Sequence, residues 1–151
     1  MRLIMPRIVT NKRARFDYEI LETFEAGLVL TGQEVKSARL GNVKLTGSYV
    51  TIGHNGARLL NARISPYPFA GHLEGYEPEQ SRQLLLKAKQ IDYLREKSAT
   101  EGLTIVPVSL YTKGRHLKLE IGLARGKKKY DKRASIKKRE IDREIARFTK
   151  Q

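Results

Sequence analysis

A chain of 151 residues with no cysteine and a net charge of +14 is long enough for one well-buried domain and too short for two ordinary ones. Without a thiol there is no disulfide framework, thiolate nucleophile or cysteine metal site, which suits a reducing compartment. No apolar run approaches the ~18 residues of a membrane span, and the opening Met1-Arg-Leu-Ile-Met-Pro6 is broken by proline too early for a secretory signal, so a cytoplasmic protein with no membrane partner is expected.

The charge is segregated along the chain. Residues 1–15 carry 5 Lys and Arg and no acid, residues 16–124 carry 13 against 12 acids, and residues 125–151 carry 12 against 4. Basic ends on a nearly neutral centre point to polyanion binding, most often of nucleic acid; a merely solubilising tail is the plainer reading.

In chain order, a basic arm, Asn11-Lys-Arg-Ala-Arg15, leads into Phe16, Tyr18 and Ile20, whose alternation predicts a first strand. A bulge is expected within 21–24, and 28–30 resumes as a strand buried on both faces, giving one long bent strand. Thr31 and Glu34 form a capping box. A short helix should follow, with Val35, Ala38 and Leu40 inward, Lys36 and Arg39 outward, and a stop at Gly41. Strands at 43–52 and 57–64 flank an Asn55-Gly56 hairpin turn. Residues 65–81, with three prolines and no period, read as a long loop with a helical turn at 78–82. Leu84-Leu-Leu86 is either a short strand or the lead into a helix.

A helix over 87–101 is predicted from Ala88, Ile91, Leu94 and Ser98 on one face, ending at Gly102. Alternation then predicts strands at 104–110 and 116–124 joined by a turn at 112–115, with Pro107 at an edge or bulge. Beyond Gly126 the β pattern stops. The predicted class is mainly β with helices: an OB-type antiparallel β-barrel with two or three helices over residues 1–126, and a basic C-terminal tail over 127–151. A flat α+β sandwich is the alternative.

Little here suggests catalysis. His54, His72 and His116 are not spaced as metal ligands, no phosphate loop is present, and no serine sits in a nucleophile setting. The protein is therefore expected not to be an enzyme, and to need no cofactor or metal. For RNA the useful groups are cations for phosphates and aromatics for bases. Candidates are Lys12, Arg13, Arg15, Lys36, Arg125, Lys127, Lys128 and Lys129, with Tyr130 either stacking on a base or packing on the rim. Lys118 points away from Leu117 and Leu119. Glu25 can accept from a base N–H or hold a neighbouring Arg. Tyr49, Tyr93 and Tyr111 read as structural.

Several motifs, taken together and in order, resemble the SsrA-binding protein (small protein B) family: Asn11-Lys-Arg-Ala-Arg15, Phe24-Glu-Ala-Gly27, Gly32-Gln-Glu-Val-Lys-Ser37, Ser48-Tyr49, Leu84-Leu-Leu86, Leu110-Tyr111 and Gly126-Lys-Lys-Lys-Tyr-Asp-Lys-Arg133. The resemblance implies an adaptor that grips the tRNA-like domain of transfer-messenger RNA and acts in ribosome rescue (trans-translation). Its implied partners are that RNA, the ribosome at its decoding site and mRNA channel, elongation factor Tu in the delivery complex and, indirectly, alanyl-tRNA synthetase. On matching positions it implies RNA contacts at Asn11, Glu25, Leu85 and Lys118, and a decoding-site segment at Tyr130, Asp131, Lys132 and Arg133. Residues 130–151 are expected to be disordered when free and helical on the ribosome, with Asp131 as N-cap. A basic ribosomal or RNA-chaperone protein and a small ribonuclease are the competing readings.

Overall fold

Long antiparallel strands organise the chain. The computed structural model describes residues 7–71, 73–127 and the backbone of 129–149, with the side chains of 129–131, 135, 148 and 149 outside the description. The expectations placed on Met1, Pro6, His72, Lys128 and the side chains of Lys129, Tyr130 and Asp131 therefore lie outside the described residues. The order of elements is β1 (Arg7–Thr10), α1 (Lys12–Asp17), β2 (Tyr18–Leu28), α2 (Gly32–Arg39), β3 (Val43–Lys44), β4 (Tyr49–Gly53), β5 (Gly56–Leu60), β6 (Arg63–Ile64), β7 (Arg82–Leu85), α3 (Ala88–Thr100), β8 (Thr104–Lys113), β9 (His116–Gly126) and α4 (Lys129–Thr149).

Every described strand pairing is antiparallel. The main sheet runs β1-β8-β4-β5-β7-β2-β9, and β9 also pairs with β8; β3 and β6 form a separate pair. The hydrogen-bonded neighbours thus follow one another from β8 through β4, β5, β7, β2 and β9 back to β8. The protein is mainly β sheet with several helices.

Alternation on β9 sends Leu117, Leu119, Ile121 and Leu123 inward, where all four are buried. They share a core with Ala26, Leu59, Leu84 and Leu110, which Ala38 of α2 and Leu94 of α3 also enter. Each large side chain so buried contributes about 1.5–3 kcal/mol. A smaller cluster of Ala14, Val106 and Ala124, with Tyr18 and Ile20 against it, lies apart from this core. It explains why both faces of β8 are buried near Val106 where one buried face was predicted: α1 covers the second face there.

Several expectations need correction. Residues 12–17, read as an arm entering a strand, form α1, because Asn11 caps it and Ala14 anchors it; β1 was not anticipated at all. The bulge predicted in 21–24 is present as a register shift between Ile20 and Glu22, but the strand ends at Leu28 and Val29 is 46% exposed. Thr31 and Glu34 make the predicted capping box. Leu40, however, is exposed beyond the helix end. The strands predicted at 43–52 and 57–64 are each broken in two, and Asn61 at φ 64° turns the chain between β5 and β6. Residues 82–85 are a strand. Pro107 sits at a register shift in β8, where its missing N–H leaves no ladder bond unmade. Asp131 lies inside α4 and is not its N-cap.

The long loop over 65–81 is fastened by a buried ion pair. Arg82 and Glu34 have side chains 2% exposed and meet at 2.7 Å. The Arg82 guanidinium also donates to the carbonyls of Ala62, Pro78 and Gln80, and Glu34 accepts from the Tyr76 hydroxyl and the Gln80 amide. Glu34 thereby serves α2 as a cap and the loop as an anchor. Burial pushes its carboxyl upward, yet the Thr31 N–H and Arg82 outweigh that and hold it below the usual carboxylate value.

Candidate nucleic-acid interface

The outward row of β9 is the spine of the site. Alternation puts Lys118, Glu120, Gly122 and Ala124 opposite the core residues, and register then brings specific neighbours beside them. Ala124 lies under α1. Gly122 pairs with Thr23 of β2 and Val106 of β8, and a Cβ there would come within 2.9 Å of Ile20 and 3.2 Å of Val108. Only glycine lets β2 and β8 pack so closely above it. Glu120 stands opposite Glu25 on one side and Ser109 on the other, while Lys118 stands opposite Gly27 and Tyr111. Arg7 pairs with Tyr111, and Leu85 with Gly27. One end of the row is thus apolar and covered, and the other is polar and open.

Glu25, Leu85 and Lys118 come together at the open end. With Gly27, Lys87 and Gln90 they line a depression of about 420 Å³. Gly27 keeps its floor low, since a Cβ there would lie 3.1 Å from Leu85 Cβ. Leu85 is 55% exposed, an apolar surface on which a base can rest beside two lysines able to hold phosphates. Among the described residues Glu25 holds no arginine. Its carboxylate accepts from the Tyr111 hydroxyl at 2.5 Å and from Lys113 Nζ at 3.2 Å. The Tyr111 hydrogen bond, helped by Lys113 and Lys118 against partial burial, holds Glu25 below its usual value. Burial and Glu25 together push the Tyr111 phenol upward.

The other candidates fall elsewhere. Asn11 is 4% exposed; its amide nitrogen donates to the Pro107 and Leu45 carbonyls and its oxygen accepts from the Ala14 N–H. It fixes α1 on the sheet and so sets where Lys12, Arg13 and Arg15 stand. Arg13 pairs with Asp17 at 3.0 Å, and Arg15 lies 3.9 Å from Glu120. Lys36 is exposed on α2, with Nζ 5.7 Å from the Tyr67 ring centre. Arg125 is exposed at the end of β9, and the Lys127 N–H donates to the Asp17 carbonyl.

The tail helix α4 begins against α1. Lys132 Nζ lies 3.3 Å from Asp17 Oδ1. The Phe16 ring has Arg13, Arg139 and Lys132 at 5.1, 5.6 and 6.0 Å from its centre. Arg133 and the large apolar Ile136, Ile141 and Ile145 are exposed. Phe16 as a seat for tail cations was missed in the sequence, where its alternation with Tyr18 suggested a strand. Tyr111 and Lys113 were missed as partners of Glu25, and Ser109 as the neighbour of Glu120, because only strand register brings them there.

Among the described residues no group of three or more His, Cys, Asp or Glu could hold a metal ion, and no helix is long and apolar enough to cross a membrane. The family model described as SmpB protein matches residues 8–151. The SsrA-binding protein of Oleidesulfovibrio alaskensis is 51% identical over 140 residues, covering 93% of this chain and 90% of its own. That of Gloeobacter violaceus is 48% identical, covering 93% and 91%. A chain in a solved structure described as "tmRNA-SmpB: a journey to the center of the bacterial ribosome" superposes with a TM-score of 0.66 at 44% identity, covering 80% of this chain and 85% of that one.

Proposed function

The chain belongs to the SmpB family, and from that premise we propose that it is the RNA-binding adaptor of trans-translation, binding the tRNA-like domain of transfer-messenger RNA and delivering it to stalled ribosomes. The observation that carries this reading is the family match over residues 8–151, joined to the likeness at 44% identity to a chain of the tmRNA-SmpB structure. The action is binding, with no chemical step assigned to any residue, and it takes place in the cytoplasm.

The finer reading rests on the geometry. The ring of strand pairings around one core supports an OB-type barrel. The depression between Glu25, Leu85 and Lys118 is suited to the RNA, and Arg15 of α1, near Glu120 of the same row, can hold a phosphate. Elongation factor Tu shares the delivery complex. The tail enters the decoding site with Tyr130, Asp131, Lys132 and Arg133 and continues down the mRNA channel. It is disordered in the free protein, as an isolated helix rich in like charge is marginal in water, and it folds on the ribosome.

RNA that co-purifies with the protein from bacterial cells should be dominated by transfer-messenger RNA. Lys118→Ala should lower that recovery without shifting the melting temperature, since the lysine projects away from the core. Recovery dominated by ribosomal RNA, or unchanged recovery with Lys118→Ala, would overturn the function or the assignment of the face respectively.

A further inference from the structure

Glu25 is a wall shared by two depressions. Behind the one it forms with Leu85 and Lys118 lies a second, of about 500 Å³, lined by Arg7, Thr23, Glu25, Ser109, Tyr111 and Glu120. These residues come from four adjacent strands, β1, β2, β8 and β9, so the depression is framed by rigid backbone. Its size is within the range of small-ligand sites.

Two polar groups here are short of partners. Ser109 is 1% exposed, and its Oγ has no hydrogen-bond partner, although buried polar groups are nearly always satisfied. Glu120 faces Glu25 directly across the β2–β9 ladder, an arrangement that like charges disfavour. Glu25 is compensated by Tyr111 and Lys113. Glu120 has, among the described residues, one cation at 3.9 Å, Arg15. A half-buried carboxylate beside an unsatisfied hydroxyl calls for a ligand that brings N–H donors. Exposed Arg7 at the rim calls for negative charge on the same ligand.

A nucleotide combines the two. Of the four RNA bases, guanine alone presents two adjacent N–H donors, N1–H and the N2 amine, with an acceptor, O6, beside them. We propose that this depression takes a splayed-out guanine nucleotide of the bound RNA, with Glu120 accepting from N1–H and N2–H, Ser109 donating to O6 and Arg7 on the phosphate. The inference rests on the reading of the chain as a partner of the tRNA-like domain. It adds a second, base-selective subsite across the Glu25 wall from the first.

Kethoxal, which adds across guanine N1 and N2, tests this on the isolated tRNA-like fragment of transfer-messenger RNA with the full-length protein. Wild type should protect one guanine that is reactive in the free fragment. Glu120→Gln, which keeps the size but loses the paired acceptors, should lose that protection alone. Its affinity should fall about tenfold, the scale of a hydrogen bond to a charged group. Ser109→Ala should fall less, with the protection weakened. The remaining footprint and the melting temperature of Glu120→Gln should match wild type, which separates lost contact from lost fold. If the fragment binds and no guanine protection depends on Glu120, the subsite is overturned and the function stands. Should wild type not bind the fragment, both fall together.

Discussion

Ile121 and Ile141 are the same residue in two different situations. Ile121, on β9, is 0% exposed, between β2 and β8, whereas Ile141, on α4, is 47% exposed. Along β8 and β9, register, bulge and glycine positions are all fixed by packing on both faces. Over the first half of α4, Lys132 and Arg139 reach Asp17 and Phe16 of the body through an ion pair and cation–π contacts. The buried hydrophobic clusters of the described residues lie in the body.

The sharpest way to break the body is at the Glu34–Arg82 pair. Arg82→Ala should cost about 3–5 kcal/mol, because it leaves a buried carboxylate without its cation, and urea unfolding would measure it. The same pair sets an acid limit. Glu34 titrates below its ordinary 4.5 in the folded state, so its contribution is complete above that value and is lost as pH falls through the lowered one. The urea midpoint should drop on acidification, and less so in Glu34→Gln.

A smaller loss is expected from Gly122→Ala. A methyl 2.9 Å from Ile20 Cγ2 and 3.2 Å from Val108 Cγ2 meets a branched, partly buried side chain on one side and a buried one on the other, and overpacking of this kind costs about 1–3 kcal/mol. Equal stability of variant and wild type would mean that β2 and β8 are less tightly placed over β9 than the structure has them.

Smallest of all should be Phe16→Ala, which removes the ring shared by Arg13, Lys132 and Arg139. Exposed cation–π contacts are worth about 0.5–1 kcal/mol. The melting temperature should barely change. A large drop in melting temperature would show that α4 supports the body after all.

How much of this was legible beforehand follows from the range of the interactions. The core face of β9, the Thr31–Glu34 capping box and the bulge at Pro107 are local patterns, and each reads directly from spacing. α1 is six residues long with one buried side chain, Ala14, and its cap is held by the Pro107 carbonyl, 96 residues away. Nothing near Lys12 announces a helix. At the site, alternation alone sends Lys118 outward. That it lies across from Gly27 and Tyr111 depends on bulges in both neighbouring strands, each of which shifts the register by a residue. Glu34 could be read as a cap, but its ionic partner lies 48 residues away in sequence and is brought there only by the tertiary fold.

The division of labour between body and tail is tested most directly by replacing Asp131, Lys132 and Arg133 together with alanine, then measuring two activities on one preparation. Lys132 makes a half-exposed ion pair with Asp17, one local contact outside the described core, so the fold should survive. Affinity for the tRNA-like fragment should stay close to wild type while tagging of nascent chains on stalled ribosomes is abolished. A variant that tags normally, or one that loses RNA binding in proportion to tagging, would contradict the account.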